Sequence, residues 1–353
     1  MTLIPAKKTR AGAPVTVAER IRTAALRAWN AGLSVIPIKA DGSKVPPVKW
    51  GDFQSRRPTL KEMETLFIEH DQQGLALVCG SVSKNLEALD FESDEAYEMF
   101  RNRARDCGLR GLLERLEKAY LEKTPRGVHL LLHSEAVGAS TVLARRTGRE
   151  GSREVLIETR GQRAYVIVSP SCGGVHASGK PYLRISGTFD TIPVISAEER
   201  EDLLDLAKSF DEPASPKKPT ARSCASVPQV YSSRTLLPGD DFNLRASWGP
   251  DILEPAGWQL VFRNGRTQYW RRPGKERGVS ATTAYGWGDY LYVFSTNATL
   301  DPHRAFDKFG AYTRLYHGGD ISAATRALAL RGFGAGTAGA TRRVQTAKRG
   351  EAA

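Results

Sequence analysis

Cysteine is scarce in this sequence of 353 residues. The four thiols are widely spaced, at Cys79, Cys107, Cys172 and Cys224, and no two of them form a C-x-x-C pair. Zinc sites that can be recognised from spacing contain such pairs, and disulfide frameworks belong to oxidising compartments. We therefore expect no zinc site and no disulfide framework, and the scatter of thiols fits a reducing cytosol.

Long apolar segments are also missing. No run is long enough to span a bilayer, and the basic N-terminus around Lys7 and Lys8 lacks the apolar core of a signal peptide. Gly274-Lys275 is not a P-loop, because Glu276 follows the lysine and the spaced first glycine is absent. We expect a cytoplasmic protein with no membrane-spanning segment and no helicase motor.

The remaining composition is that of a globular protein with excess positive charge. Hydrophobic residues make up 41% of the chain and charged residues 25%, while the formal net charge is +12. A charge of this size favours a polyanionic partner, with nucleic acid first and an anionic membrane surface second.

A proline-rich stretch divides the chain into two domains. Residues 211–238 contain five prolines with serine and lysine between them, which is typical of a linker. The predicted organisation is a disordered basic arm over 1–15, a larger domain over 16–212, the linker over 213–238, a small accessory domain over 239–334 and a disordered basic tail over 335–353.

The larger domain is predicted to be α+β. Thr16, Thr59 and Ser196 each stand three residues before a glutamate and begin helices, and Ser93 caps another. A further helix is predicted over 109–121, and residues 138–152 are predicted to be a Gly/Arg-rich loop. The predicted strands cover residues 33–38, 74–78, 86–92, 127–132, 154–158 and 164–168.

The small domain begins with a strong hairpin signal. Asn264-Gly265 joins two alternating segments over 258–263 and 266–272. Two more strands, over 279–283 and 290–294, and helices near 303–310 and 321–331 complete a second α+β domain. This layout resembles a degenerate zinc ribbon without its metal-binding cysteines, so we expect no zinc there.

Basic and aromatic residues are interspersed in the small domain. Arg271, Arg272 and Lys275 follow Tyr269 and Trp270, a combination that suits single-stranded nucleic acid through phosphate neutralisation and base stacking. The alternative is a small sheet whose aromatic residues form the core and whose arginines face solvent. We predict a domain that binds nucleic acid or a partner protein.

Two acids close the apolar strand Leu86–Glu92. Asp90 and Glu92 stand at positions i and i+2, so their side chains share one face of the strand. Such close like charges repel unless a cation lies between them, and a divalent metal with oxygen ligands is the usual cation. Taken alone, the pair is more often an ordinary strand end whose acids face solvent.

Three residues on other strands strengthen the metal hypothesis. Glu158 ends another apolar strand, His129 lies inside a third, and Arg160 follows Glu158 closely. Separately they could be a rim carboxylate, a core histidine and a surface arginine. Together they suit phosphoryl transfer, in which acids hold Mg²⁺ or Mn²⁺ while histidine and arginine contact phosphate oxygens.

Four ordered motifs carry a family resemblance. They are Lys44-x-Pro46…Trp50, Gly80…Leu89–Glu92, Lys123–His129 and Leu156–Gly161 continuing to Tyr165–Ser171. In this order they resemble the bifunctional DNA primase/polymerase (prim-pol) domain of the archaeo-eukaryotic primase superfamily, which is common in phages and plasmids. The resemblance covers about residues 16–210.

The resemblance implies a fold and a site. The fold is an RRM-like primase-polymerase domain of mixed sheets with flanking helices, and the site holds two catalytic metals through Asp90, Glu92 and Glu158. The implied nucleotide-binding residues are His129, Arg160, Ser169, Ser171 and Lys44.

Two positions depart from the family pattern. The family often has Ser-Gly-Gly before the histidine, where this chain has Pro125–Val128, and its third acid is often aspartate rather than Glu158. The turn glycine and the carboxylate are both retained. The longer Glu158 side chain therefore bears on metal geometry and rate more than on reaction type.

The predicted function is that of a phage- or plasmid-type DNA primase/polymerase, a metal-dependent nucleotidyltransferase. Its predicted partners are a DNA template and primer, dNTP or NTP, and a separate helicase, with no membrane partner. Two alternatives stay open. One is a non-catalytic, single-stranded-DNA-binding accessory that recruits a helicase, and the other is a metal-dependent nuclease that uses the same acids.

Overall fold

The computed structural model describes residues 15–68, 74–148, 151–212, 236–286, 288–302 and 304–334. Residues 1–14 of the predicted arm, 213–235 of the predicted linker and the predicted tail over 335–353 lie outside the described residues. The chain divides into two compact units. The first contains residues up to Arg101, Arg110–Leu143 and Val155–Arg200, and the second contains Asn102–Leu109, Ala144–Glu154 and the residues from Glu201 onward.

The first unit, together with the elements that run out of it, combines sheets with helices. Its helices are α1 (Val17–Asn30), α2 (Leu60–Ile68), α3 (Asp94–Asp106), α4 (Arg110–Ala119) and α5 (Ala197–Lys208). Its strands are β1 (Ser34–Ile38), β2 (Gly74–Val78), β3 (Leu86–Phe91), β4 (Tyr120–Lys123), β5 (Val128–Ser134), β6 (Val142–Thr147), β7 (Arg153–Arg160), β8 (Tyr165–Val168), β9 (Leu183–Gly187) and β10 (Val194–Ile195). The predicted α+β class is confirmed.

These strands form two sheets. The smaller one is antiparallel, in the order β1-β2-β8. The larger one has the order β6-β7-β3-β5-β4-β9, and β10 pairs with β5 in parallel. β3 therefore lies in the interior of the larger sheet, with antiparallel neighbours β5 and β7 on its two sides.

One apolar core contains residues of both sheets and of α1. Leu86 and Ala88 of β3 belong to this core together with Val35 of β1 and Leu77 of β2. Side chains alternate along a strand, so Asp90 lies on the same face as Ala88, two residues further on. The alternation of β3 thus places a carboxylate where this core ends.

The structure differs from the sequence predictions at three places. The helix predicted over 109–121 ends at Ala119, and the next four residues form β4, which buries Tyr120 and Glu122. Alternation over so few residues cannot be told from the end of an amphipathic helix. The loop predicted over 138–152 contains β6, and no pattern predicted β9, since both strands carry exposed residues.

The second unit contains a five-stranded antiparallel sheet, with one α-helix before it and two α-helices after it in the sequence. The strands pair in sequential order: β11 (Gln259–Asn264), β12 (Thr267–Arg271), β13 (Ala281–Thr283), β14 (Leu291–Val293) and β15 (Ala305–Phe306). The helices are α6 (Pro238–Arg245), α7 (Lys308–His317) and α8 (Ile321–Leu330). Its core is aromatic and includes Trp248, Trp258 and Trp270, so for these residues the core interpretation applies.

The predicted hairpin forms with its turn displaced by one residue. Asn264 still pairs with Thr267, so the two-residue loop is Gly265-Arg266 rather than Asn264-Gly265. Gly265 has a φ of 57°, a conformation that glycine adopts without steric cost.

A buried ion cluster lies within the second unit. The ammonium of Lys275 is 2.9 Å from a carboxylate oxygen of Asp205 and 3.2 Å from one of Asp202. It also donates to the carbonyl oxygen of Val279, and Arg277 pairs with Asp202 at 2.8 Å. The side chains of Lys275, Asp202 and Asp205 are each at most 2% exposed. Each charge is buried with a partner, which is the condition for tolerating it there.

Replacing Lys275 with methionine tests the contribution of this cluster to stability. We expect Lys275→Met to lower the free energy of unfolding by about 3–5 kcal/mol, because removing one partner of a buried ion pair leaves an uncompensated charge. Thermal unfolding of the full chain measures the change. The control is Arg263→Met at an exposed position of β11, which we expect to stay within about 0.5 kcal/mol of wild type. Equal melting temperatures for the two variants would contradict the prediction.

Candidate active site

Four ionisable side chains form a row across the larger sheet. Asp90 of β3 pairs in register with Glu158 of β7 on one side and with His129 of β5 on the other. His129 in turn pairs with Glu122 of β4. Directly opposite residues in neighbouring strands share a face, so these side chains lie side by side on one face of the sheet.

Glu92 joins the row at the end of β3. Its backbone N–H donates to the carbonyl oxygen of Leu156 at 2.9 Å, which keeps it beside β7. A Cβ atom on Gly127 would collide with the carbonyl oxygen of Phe91, so the turn before β5 packs directly against the end of β3. This close approach requires glycine. It also brings Arg126 within 3.2 Å of the Glu92 carboxylate.

Asp90, Glu92 and Glu158 converge into one acidic cluster. Each contributes a carboxylate oxygen, and these oxygens lie within 4.8 Å of one another. All three residues are partly buried. Mg²⁺ and Mn²⁺ prefer oxygen ligands of this kind. The donor set therefore fits a hard divalent cation, and these are the residues that could hold it.

Besides Arg126, two cationic side chains contact the acidic cluster. His129 Nε2 lies 3.3 Å from Asp90 Oδ1, and Arg160 Nε lies 3.8 Å from Asp90 Oδ2. Arg160 also forms an ion pair with Glu158. The structure thus brings together all five residues for which the sequence predicted metal or phosphate contacts at the strand ends.

The charges in the cluster shift one another's protonation equilibria. Burial disfavours the charged form of His129, but the carboxylates of Asp90 and Glu122 outweigh burial and raise its pKa to about 10. Burial likewise opposes ionisation of Asp90, yet His129 and Arg160 lower the pKa of that carboxyl. For Glu158, burial and then the nearby acids raise the pKa despite Arg160. Crowding of the acids is thus unfavourable, and a divalent cation would relieve it.

A pocket of about 250 Å³ opens beside the acids. Its lining combines charged side chains with apolar and aromatic ones. The lining residues are Lys44, Asp90, His129, Arg160, Ala164, Tyr165, Val166, Ile167 and Tyr182.

The backbone of Lys44 has a conformation that is uncommon for a residue with a side chain, with a φ of 61°. The hydroxyl of Tyr165 donates to the Lys44 carbonyl oxygen at 2.8 Å and helps to hold it. Unusual backbone of this kind occurs often at ligand sites. The structure therefore places Lys44, predicted to bind nucleotide, at the pocket.

The two serines predicted to bind nucleotide lie elsewhere. Ser171 is fully buried, and its hydroxyl both accepts from the N–H of Leu75 and donates to the Leu75 carbonyl oxygen. Ser169 is also buried, and neither serine lines the pocket. Their hydroxyls contribute nothing to the surface of this pocket, and their predicted nucleotide contacts stay predictions.

The basic residues predicted to contact nucleic acid have protein partners. Arg271 donates to the carbonyl oxygens of Glu276 and Gly278, and Arg272 lies 3.5 Å from a carboxylate oxygen of Glu201. Lys275 belongs to the buried ion cluster described above. A phosphate would have to compete with these contacts, so the nucleic-acid role of the three residues stays a prediction.

Sequence reasoning missed two residues of the site. Glu122 lies beside His129 but falls on β4, immediately after the residues that continue the α4 pattern. Tyr182 lines the pocket, and its ring centroid is 6.2 Å from that of His129. Tyr182 follows a turn-rich loop, so no periodic signal pointed to it.

Comparison with known proteins gives one finding. The family model described as the N-terminal domain of bifunctional DNA primase/polymerases matches residues 25–198. This range includes all the acids of the cluster, His129 and every residue that lines the pocket. No curated protein matches the sequence.

The acidic cluster predicts a stabilising response to metal. We expect Mn²⁺ to raise the melting temperature of the wild-type chain, since a ligand at a hundred times its Kd stabilises the folded state by about 2.7 kcal/mol. Asp90→Asn/Glu158→Gln should abolish the response. Asp94→Asn removes an exposed acid outside the cluster and should keep it. An equal Mn²⁺ response in wild type and double variant would exclude metal binding at the cluster.

Proposed function

Residues 25–198 belong to the family of bifunctional DNA primase/polymerases as its N-terminal domain, and on this premise we propose that the chain is a metal-dependent, template-directed nucleotidyltransferase. The observation that carries the proposal is the convergence of Asp90, Glu92 and Glu158 from two neighbouring strands. Phosphoryl transfer depends on positioning and electrostatic stabilisation. An acidic cluster beside a cationic pocket meets both needs.

We propose which parts of an incoming nucleotide the residues that line the pocket would contact. Lys44, His129 and Arg160 would bind the triphosphate, because charge-assisted hydrogen bonds to phosphate are the strong ones. The aromatic and aliphatic residues on the pocket wall, such as Tyr165 and Ile167, would contact the sugar and base.

The reaction that fits this arrangement is nucleotidyl transfer. The 3′-hydroxyl of a primer, or of a first nucleotide, attacks the α-phosphate, and pyrophosphate leaves. Asp90, Glu92 and Glu158 would hold Mg²⁺ or Mn²⁺, which when bound neutralises the charge that develops on the phosphate oxygens. His129 and Arg160 would orient the triphosphate through hydrogen bonds to its oxygens.

The charge of the chain and its family support the partners that we propose. The net charge of +12 supports DNA as template and primer. We propose that a separate helicase opens the duplex and that the chain serves replication of a phage or plasmid. We further propose that the second unit is an accessory module for nucleic acid or partner binding.

A primer-extension assay with template, labelled nucleotide and Mn²⁺ tests the proposal. We expect Asp90→Ala, Glu92→Ala and Glu158→Ala each to lower extension at least about 100-fold, the usual loss when a charge-stabilising group is removed. DNA binding should persist in all three variants. Asp94→Asn, next to the cluster, should extend normally.

Three outcomes of the same assay would contradict the proposal. Full extension by Asp90→Ala/Glu92→Ala would show that the acids are dispensable. DNA binding by the wild type without incorporation would indicate a non-catalytic accessory. Primer degradation in the absence of any nucleoside triphosphate would indicate a nuclease.

A further inference from the structure

Glu122 is a fully buried carboxylate, with no exposed side-chain surface. Three donors surround it. Its Oε1 lies 2.9 Å from His129 Nδ1, and its Oε2 accepts from the Tyr120 hydroxyl and from the backbone N–H of Ser169, both at 3.0 Å. Removing a carboxylate from water is costly, so such a group is expected to have a specific partner.

The ionisable side chain nearest to the Glu122 carboxylate through a hydrogen bond is His129. Among the described residues, no lysine or arginine forms an ion pair with Glu122. Glu87 provides the contrast, since it is an equally buried acid of the same sheet but has a bidentate partner in Arg200, at 2.5 and 2.8 Å. Glu87 thus pairs with a structural arginine, whereas Glu122 pairs with a residue of the candidate site.

The contact with Glu122 fixes the orientation of the imidazole ring. With Nδ1 bound to Glu122, the opposite nitrogen Nε2 faces Asp90 at 3.3 Å and the pocket. The hydrogen-bond partner of one ring nitrogen determines whether the other nitrogen carries a proton. Partners that lie behind a functional histidine orient its ring at many sites.

The contacts of Glu122 also join the two sheets. Ser169 directly follows β8 of the smaller sheet, while Glu122 and His129 lie on β4 and β5 of the larger one. Val166 and Ile167 of β8 line the pocket. The carboxylate therefore sets the position of the ring relative to the strand that forms the facing pocket wall.

We propose that Glu122 is a positioning residue, which holds His129 with Nε2 turned toward the phosphates of the incoming nucleotide. The identity of the ligand in this inference rests on the proposed function. The effect of Glu122 on the His129 ring is independent of that function and can be measured in the protein alone.

The first test compares Glu122→Gln with the matched variant Glu87→Gln by NMR of the metal-free full chain. The imidazole N–H signal of His129 is assigned by its loss in His129→Gln. We expect Glu122→Gln to shift or remove the Nδ1 proton signal. Glu87→Gln should lower the melting temperature and leave that signal unchanged.

The second test uses primer extension with Mn²⁺ and either dATP or ATP. We expect Glu122→Gln to lose about 10- to 100-fold in kcat/KM, the usual cost of removing a partner that orients a site residue. The loss should lie mainly in KM for the nucleotide, because His129 contacts the phosphates of the bound substrate. Glu87→Gln should keep the wild-type KM.

Tyr120→Phe keeps the test decisive if Glu122→Gln fails to fold. Tyr120 contacts Glu122 and lies outside the pocket lining, so a shifted His129 signal in Tyr120→Phe supports the proposal. The proposal is overturned if Glu122→Gln leaves the His129 signal unchanged and keeps KM within twofold of wild type. If Glu122→Gln does not fold, the same two results in Tyr120→Phe overturn it. If the wild type incorporates no nucleotide, the proposed function fails, and the NMR comparison alone decides whether Glu122 sets the ring.

Discussion

The registration of β3 between β5 and β7 is the constraint on which the site depends. It places Glu158, Asp90 and His129 side by side, and β4 extends the row to Glu122. At one end of the row two acids, Glu158 and Asp90, are adjacent. At the other end His129 lies between the acids Asp90 and Glu122. Like charges at cross-strand positions are unfavourable. Cationic side chains beside the row offset part of that repulsion.

Arginines supply part of the compensation from two directions. Arg160 lies two residues beyond Glu158 on the same face of β7, and Arg126 reaches Glu92 from the turn before β5. Gly127 makes the second contact possible, because a side chain there would push that turn away from β3. Strand register and one close backbone approach therefore position both arginines, with no contribution from a long loop.

Much of this site could be predicted because its residues end strong strands. Glu158 follows an apolar run and His129 lies inside one, which placed them on strands, and the i/i+2 spacing of Asp90 and Glu92 placed those two on one face of a strand. Glu122 was hidden because β4 has four residues and continues the amphipathic pattern of α4. The sequence likewise did not predict that the charged side chain of Lys275 is buried. Its partners Asp202 and Asp205 are about 70 residues away in sequence, and local patterns carry no information about such pairing.

The charged cluster around Lys275 and the acidic cluster at the candidate site differ in burial and in access to a pocket. Around Lys275, two acids meet three cations, since Lys208 and Arg277 also contribute, and the centre is closed to solvent. Every charge in that cluster has an ion-pair partner among residues of the same cluster. At the candidate site, the acids are in contact with Arg126, His129 and Arg160, and the cluster borders an open pocket that Lys44 also lines. Carboxylates that converge beside an open pocket could hold a divalent cation from outside. The acids at the end of β3 are therefore the ones that could bind a cation, whereas those around Lys275 pair with side chains of their own unit and belong to the fold.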